Sequence, residues 1–385
     1  MSETILVAHR LFDGEAMRED VALVIRDGFI VDIVPRSQLA QEAIAEVLPD
    51  GVLAPGFIDV QVNGGGGRML NNAPTVETVD VMAKAHRRFG TTAMLPTLIT
   101  DTREISERAV DAVLEATLNV PGVTGLHLEG PHLAPGRRGA HLAELMRPLE
   151  EADIAMMRRL AFELPVLHLT LAAEQVQPLQ VELLAAAGVV VSIGHTNCTA
   201  EEARILFDAG ARGVTHLFNA MSGFSHRAPG LVGAALDEGQ VWCGVIADGH
   251  HVDPTALRVA LRAKRGPGRL FHVTDAMALV GSQETEFSLN GRAVRREPGE
   301  VCSRLVLEDG TLAGSDLDMA SAVRFGVQKL DLSLEESLAM ATSYPARYLG
   351  LEEHHGLIKP GARADMVWLD DALHARATWI SGRRA

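Results

Sequence analysis

The chain of 385 residues has little cysteine, few aromatics, a deficit of positive charge and no long apolar run. Each shortage removes a class of function. Three cysteines, Cys198, Cys243 and Cys302, form neither a CxxC pair nor an even set, so a disulfide framework is excluded and free thiols in a reducing compartment are expected. The 35 Lys and Arg stand against 50 Asp and Glu, a net charge of −15 spread along the chain, which argues against nucleic acid or an anionic membrane as the main partner. No apolar stretch reaches membrane length and no basic-then-apolar leader opens the chain, so a cytoplasmic protein is expected. What is present is 47% apolar residues with only 4% aromatic, the Ala, Val, Leu and Gly richness of a helix-rich α/β enzyme.

The order of patterns specifies an architecture. Residues 1–55 read as short strands with tight turns; "VALVIRDGFIVDIV" is two apolar runs around Asp27-Gly28, a hairpin signal. Apolar, β-rich segments then recur at 57–63, 91–97, 123–129, 166–172, 189–195, 213–219, 241–247 and 270–275, most of them separated by helical patterns. One such helix opens at Thr199 with Glu202 closing a capping box and Gly210 just past its end. Eight strands with helical crossovers predict an α/β fold with a (β/α)8 TIM-like barrel. After 277 the rhythm stops: residues 286–313 read as strands and turns, two helices follow at about 316–330 and 333–343, and the chain finishes in β structure. The expected organisation is a barrel over 55–344 and a small β-sandwich domain built from 1–54 and 345–385, to which part of 286–313 can be added.

Reactive groups of such barrels sit where strands end and loops begin. The strand ends here carry Gln61 and Asn63, Glu129, His195, His216, Asp248 and Asp275. Glu129 closes the run "GLHLE", where an unpaired buried carboxylate is costly and must be neutralised, paired or bound to metal. Any single histidine at a strand end is more often a structural hydrogen-bonded residue. Glu129, His195 and His216 on separate strand ends, with an open fourth position, form a ligand set for catalytic zinc or a similar divalent ion. His127, inward on the strand of Glu129, and His168 and His272, within apolar runs, are expected to be structural. His141 and the pair His250-His251 fall on loops above the mouth, where binding roles are expected. The run "NGGGG" at 63–67 lacks the Lys-Ser/Thr of a phosphate loop and reads as a flexible loop after the first strand.

One series of motifs runs through nearly the whole chain. "APGFIDVQVNG", "HLEGPHL" with "GAH", "GHTNCT", "THLFNAMS", "HRAPGLVGA", "IADGHHVD" and "VTDAM" occur in order, followed by "TLAGS" and "GLIKPGARADMV". Together they look like the N-acetylglucosamine-6-phosphate deacetylase family, a branch of the amidohydrolase superfamily. The resemblance implies hydrolysis of the acetamide of N-acetyl-D-glucosamine 6-phosphate to D-glucosamine 6-phosphate and acetate, in amino-sugar breakdown, by a homodimer. It implies Glu129, His195 and His216 as metal ligands, Asp275 as catalytic acid/base, and His141 as the group that contacts the sugar and polarises the acetyl carbonyl. Ala140, Asn219, Ala220, Arg227, His251, Leu312, Ala313 and Gly314 match its substrate-binding positions. Many superfamily members carry His-x-His after the first strand for a second metal, and this chain has Gln61-Val62-Asn63. An amide oxygen is a poor zinc ligand. One divalent ion per chain, zinc, is therefore expected, with Gln61 meeting it at most through water. Two rivals follow from the same residues: another amidohydrolase without a phosphate clamp, or a non-catalytic scaffold, which should have lost ligands or the strand-eight aspartate.

Overall fold

A computed structural model describes residues 3–40, 45–300 and 302–385. Residues 1–2, 41–44 and 301, which fall within the expected strand-rich segments 1–54 and 286–313, lie outside the described residues.

Eight parallel strands form the centre of the molecule. In chain order they are Phe57–Val62, Thr91–Ile99, Leu126–Glu129, Leu167–Leu171, Val190–Ile193, Gly213–Val214, Trp242–Ile246 and Leu270–Val273, each hydrogen-bonded to the next. The first and eighth close the ring through the Asp275 amide to the Gln61 carbonyl at 3.0 Å and a parallel bridge between Val62 and Ala276. The fold is the expected TIM-like barrel. Helices cover it, and the capping box is in place: the Glu202 amide donates to Thr199 Oγ1 at 3.2 Å while the Thr199 amide donates to Glu202 at 2.8 Å. The sixth strand is only two residues long, shorter than the 213–219 read from the sequence. The backbone leaves extended geometry there, with φ of 32° at His216, 82° at Phe218 and 51° at Ala220.

The two chain ends hydrogen-bond into one eight-stranded sheet. Val52–Pro55 lies antiparallel to Met366–Leu369, with Ala54 opposite Val367, and the Asp27-Gly28 turn joins Met17–Arg26 to Phe29–Pro35. Both turn residues have positive φ, 50° and 87°, as a two-residue hairpin turn of this kind requires. One face has its own core of Leu6, Leu23, Leu53, Met366 and Trp379. The helix Ser343–Leu349 belongs with the barrel by packing, since Ala346, Tyr348 and Leu349 sit in the barrel's core cluster.

Residues 286–315 do not join that end sheet. They form an antiparallel sheet of their own, Glu286–Leu289, Arg292–Glu297, Arg304–Leu307 and Leu312–Ser315. Its apolar residues Leu289, Val294, Leu305 and Ala313 pack with Met69, Ile99 and Met277, which places it over the barrel mouth. The glycine run is a short packed hairpin rather than a flexible loop. Gly64–Gly65 pairs with Arg68–Met69, and the amides of Gly64, Gly66 and Gly67 donate to carbonyls at 276, 280 and 278. A Cβ at Gly64 would lie 2.5 Å from the Arg68 carbonyl oxygen, so close backbone approach explains the glycine.

Candidate active site

The strand ends converge. Glu129 closes the third strand, buried, and its Oε1 lies 3.1 Å from His195 Nε2 and 3.0 Å from His216 Nε2, with the two Nε2 atoms themselves 3.0 Å apart. His195 Nδ1–H donates to the Arg137 carbonyl at 2.8 Å, which leaves the lone pair on Nε2 aimed at the cluster. His216 Nδ1 is buried without a partner. Tetrahedral donors about 2.0–2.1 Å from a common ion stand roughly 3.3 Å apart, close to the spacing found here. Three lone-pair-bearing atoms converging in a buried site repel one another until a cation neutralises them, so the donor set fits a divalent ion. His141 extends the cluster, its Nε2 4.0 Å from Glu129 Oε2.

The electrostatics agree with the geometry. Burial alone would raise the Glu129 carboxyl, but the close approach of His195 and His216, with His141 nearby, holds it well below the usual carboxylate range. Burial, reinforced by the charge of Glu129, pushes Asp275 up to about 6, despite its contact with Asn63. Burial drives His141 down to about 3, with His195 adding to the effect, so its ring is neutral.

Asp275 follows the eighth strand with φ 52°, and His195 has φ 48°. Non-glycine residues in this region are strained by about 1–3 kcal/mol each, and such strain clusters where surroundings must aim a side chain. Asn63 Nδ2 donates to Asp275 Oδ1 at 2.6 Å; Gln61 Nε2 donates to the same oxygen at 3.2 Å and to Glu129 Oε2 at 3.1 Å. Gln61 therefore touches both acids directly through its nitrogen. The alternation of the first strand puts residues 61 and 63 on one face, the signal from which this role could have been read.

A cavity of about 260 Å³ opens above the cluster. Its walls include Ala140, His141, Asn219, Ala220, His251, Leu312 and Gly314, with Glu129, His195, His216 and Asp275 at its base. Asp248 orients His251 by accepting its Nδ1–H at 2.6 Å and the backbone amides of His250 and His251. Two candidates stand apart. Ala313 is buried in the core beneath the wall, and Arg227 lies on the exposed segment 223–228, outside the cavity lining of its own chain. Ile99, Met277, Thr311 and Asn63 also line the cavity. The apolar ones, Ile99 and Met277, were hidden because an apolar side chain at the end of a strand carries no chemical signature. His250 turns away to the Cys302 carbonyl at 2.9 Å. The interior histidines are built into the structure: His127 between Thr97 and Thr170 at 3.2 and 2.8 Å, His168 on Tyr348 at 2.8 Å, His272 near Ser337 at 3.4 Å.

A closed parallel barrel with two histidines and two acids at the mouth defines a barrel hydrolase of the cation-dependent class. The chain belongs to the amidohydrolase family, whose model matches residues 52–384. It is 44% identical over 374 residues to the N-acetylgalactosamine-6-phosphate deacetylase of Shewanella sp. (strain ANA-3), covering 95% of this chain and 92% of that one. It is 39% identical over 387 residues to the human N-acetylglucosamine-6-phosphate deacetylase, covering 96% and 92%. The crystal structure of N-acetylglucosamine-6-phosphate deacetylase from Pasteurella multocida superposes with a TM-score of 0.95 at 31% identity, covering all of both chains.

Proposed function

We propose that this chain hydrolyses the acetamide of N-acetyl-D-glucosamine 6-phosphate to D-glucosamine 6-phosphate and acetate, using one divalent ion, zinc, held by Glu129, His195 and His216. The observation that carries the reading is the convergence of these three donors within 3.0–3.1 Å of one another, beside Asp275, at the base of a cavity. When bound, the ion supplies a Lewis acid that polarises the carbonyl and makes an attacking water acidic. Asp275, poised near neutrality, accepts that water's proton and returns it to the departing nitrogen as the C–N bond breaks. Asn63 and Gln61 fix the carboxylate for this transfer. Neutral His141 donates its Nε2–H to the carbonyl oxygen as charge develops there. Asn219, Ala220, His251 and the segment 312–314 hold the sugar.

Arg227 is assigned the 6-phosphate. Its exposed position outside its own cavity makes a homodimer part of the proposal, with the guanidinium serving a neighbouring copy. Among the described residues no helix is long and apolar enough to cross a membrane. Free thiols at Cys198, Cys243 and Cys302 fit the proposed cytoplasmic setting. The 44% identity to the Shewanella enzyme favours a second reading, in which the 4-epimer, N-acetylgalactosamine 6-phosphate, is the better substrate. One assay tests both: acetate release from each epimer, with and without chelator. Chelator-sensitive release is expected. No release from either sugar phosphate would overturn the function, and a higher kcat/KM on the galacto epimer would select the second reading.

A further inference from the structure

His141 sits on an irregular segment between the third strand and the helix Glu151–Glu163, where only short helical turns interrupt the loop. Such a segment does not aim a ring by itself. Two contacts anchor its backbone beside the cavity: Arg292, from the sheet over the mouth, donates to the Ala140 carbonyl, and the His141 amide donates to the Arg138 carbonyl at 3.0 Å. The ring is held from a different direction. Thr100, the residue after the second strand and 1% exposed, places its backbone N–H 3.3 Å and its Oγ1 2.9 Å from His141 Nδ1. A backbone N–H can only donate, so Nδ1 is the acceptor and the hydroxyl must donate to it as well. The ring proton is then on Nε2, which faces the cavity and lies 4.0 Å from Glu129 Oε2. Gly130 leaves the space that the hydroxyl occupies, since a Cβ there would lie 2.2 Å from Thr100 Oγ1.

We propose that Thr100 is a positioning residue for the reaction, fixing His141 as the Nε2–H tautomer and aiming that N–H at the carbonyl oxygen of the bound acetamide. This rests on the carbonyl-polarising role given to His141 above. It adds that the role depends on a residue that touches neither substrate nor ion. A donor that must meet charge only as it develops acts on turnover more than on binding.

The test uses the metal-loaded enzyme and acetate release from N-acetylglucosamine 6-phosphate. Thr100→Val keeps size and backbone N–H but removes the hydroxyl; kcat should fall about tenfold, with KM within about twofold. Thr100→Ser, which restores the donor, should recover kcat to within about threefold of wild type. In parallel, 15N-histidine-labelled protein reports the tautomer directly, the His141 signals being those lost in His141→Gln. Nε2–H is expected in wild type. An Nδ1–H tautomer there, or unchanged kcat in Thr100→Val while His141→Gln is impaired, would overturn the role of Thr100. Full turnover in His141→Gln would instead remove the underlying role of His141, and the proposal with it.

Discussion

Two residues apart on one strand, His127 and Glu129 face the same barrel interior under opposite conditions. His127 lies below the mouth with both ring nitrogens occupied by threonine hydroxyls, in a chain continuing from Thr170 to Thr215 at 2.8 Å and from Thr215 to Ser192 at 2.7 Å. Burial lowers its pKa to about 4, outweighing the nearby charge of Glu129, so its ring stays neutral. One level higher, Glu129, His195 and His216 are equally buried but point acceptors at each other, on a backbone bent into positive φ at both histidines. The lower level is a satisfied polar network, which rigidifies. The upper level is a set of converging acceptors with no donor between them, which fits the cation proposed above. Burial and residue type do not separate the two; the direction of the lone pairs does.

Substitutions at the two levels should therefore diverge. Glu129→Gln, at the upper level, should reduce bound metal from about one equivalent per chain to near none and activity by at least ~10³-fold. Metal analysis alongside acetate release checks both, and retained metal with lost activity would move Glu129 out of the ligand set. Asp275→Asn should cost at least ~10²-fold in kcat while metal content stays near wild type. Arg227→Ala should lower kcat/KM for the phosphorylated sugar roughly tenfold to a hundredfold, the scale of one charge-assisted bond, and leave the unphosphorylated sugar nearly unaffected. Equal losses on both would mean that Arg227 supports only its loop.

The pH profile sharpens the contrast further. In the role proposed for it Asp275 must be ionised to accept a proton, and its pKa is raised to about 6, so that form is expected above this value and is lost as pH falls through it. A bound cation's charge stabilises the carboxylate, which moves the acid limb of kcat/KM to or below about pH 6, with a tenfold loss per unit beyond it. Asp275→Asn should lack this limb. The smallest effect on catalysis is expected at the lower level. His127→Leu should cost about 1–3 kcal/mol of stability, seen in urea unfolding, because Thr97 and Thr170 lose a buried partner. Its kcat should stay within about threefold of wild type. A kcat loss like that of Asp275→Asn would erase the distinction between the levels.

Much of this was legible in the residues because both signals are local. Each barrel strand is a short apolar run, and Glu129, His195, His216 and Asp275 interrupt such runs at their ends. The direct contacts of Gln61 with two acids were less visible, because an amide is neutral and announces no partner; only closure of the first strand on the eighth brings Asp275 within reach. The sheet at 286–315 was readable as strands but not in its placement, since antiparallel hairpins carry no record of the surface they cover. Arg227 shows the converse. It is singled out by resemblance, yet its own chain sets it on an exposed segment, so the phosphate role proposed for it calls for a surface its sequence neighbours do not supply.

The pairing of the two chain ends governs how the molecule can be made. Val52–Pro55 emerges early in synthesis, and its antiparallel neighbour Met366–Leu369 follows only after the barrel. Until then an apolar strand edge has no cover on that side, a template for another chain of the same kind. Contacts so distant in sequence form slowly, because the loop between them must close first. Nascent chains should therefore need shielding at this edge until the last strands emerge, and early termination before Met366 should yield aggregates rather than a smaller soluble enzyme.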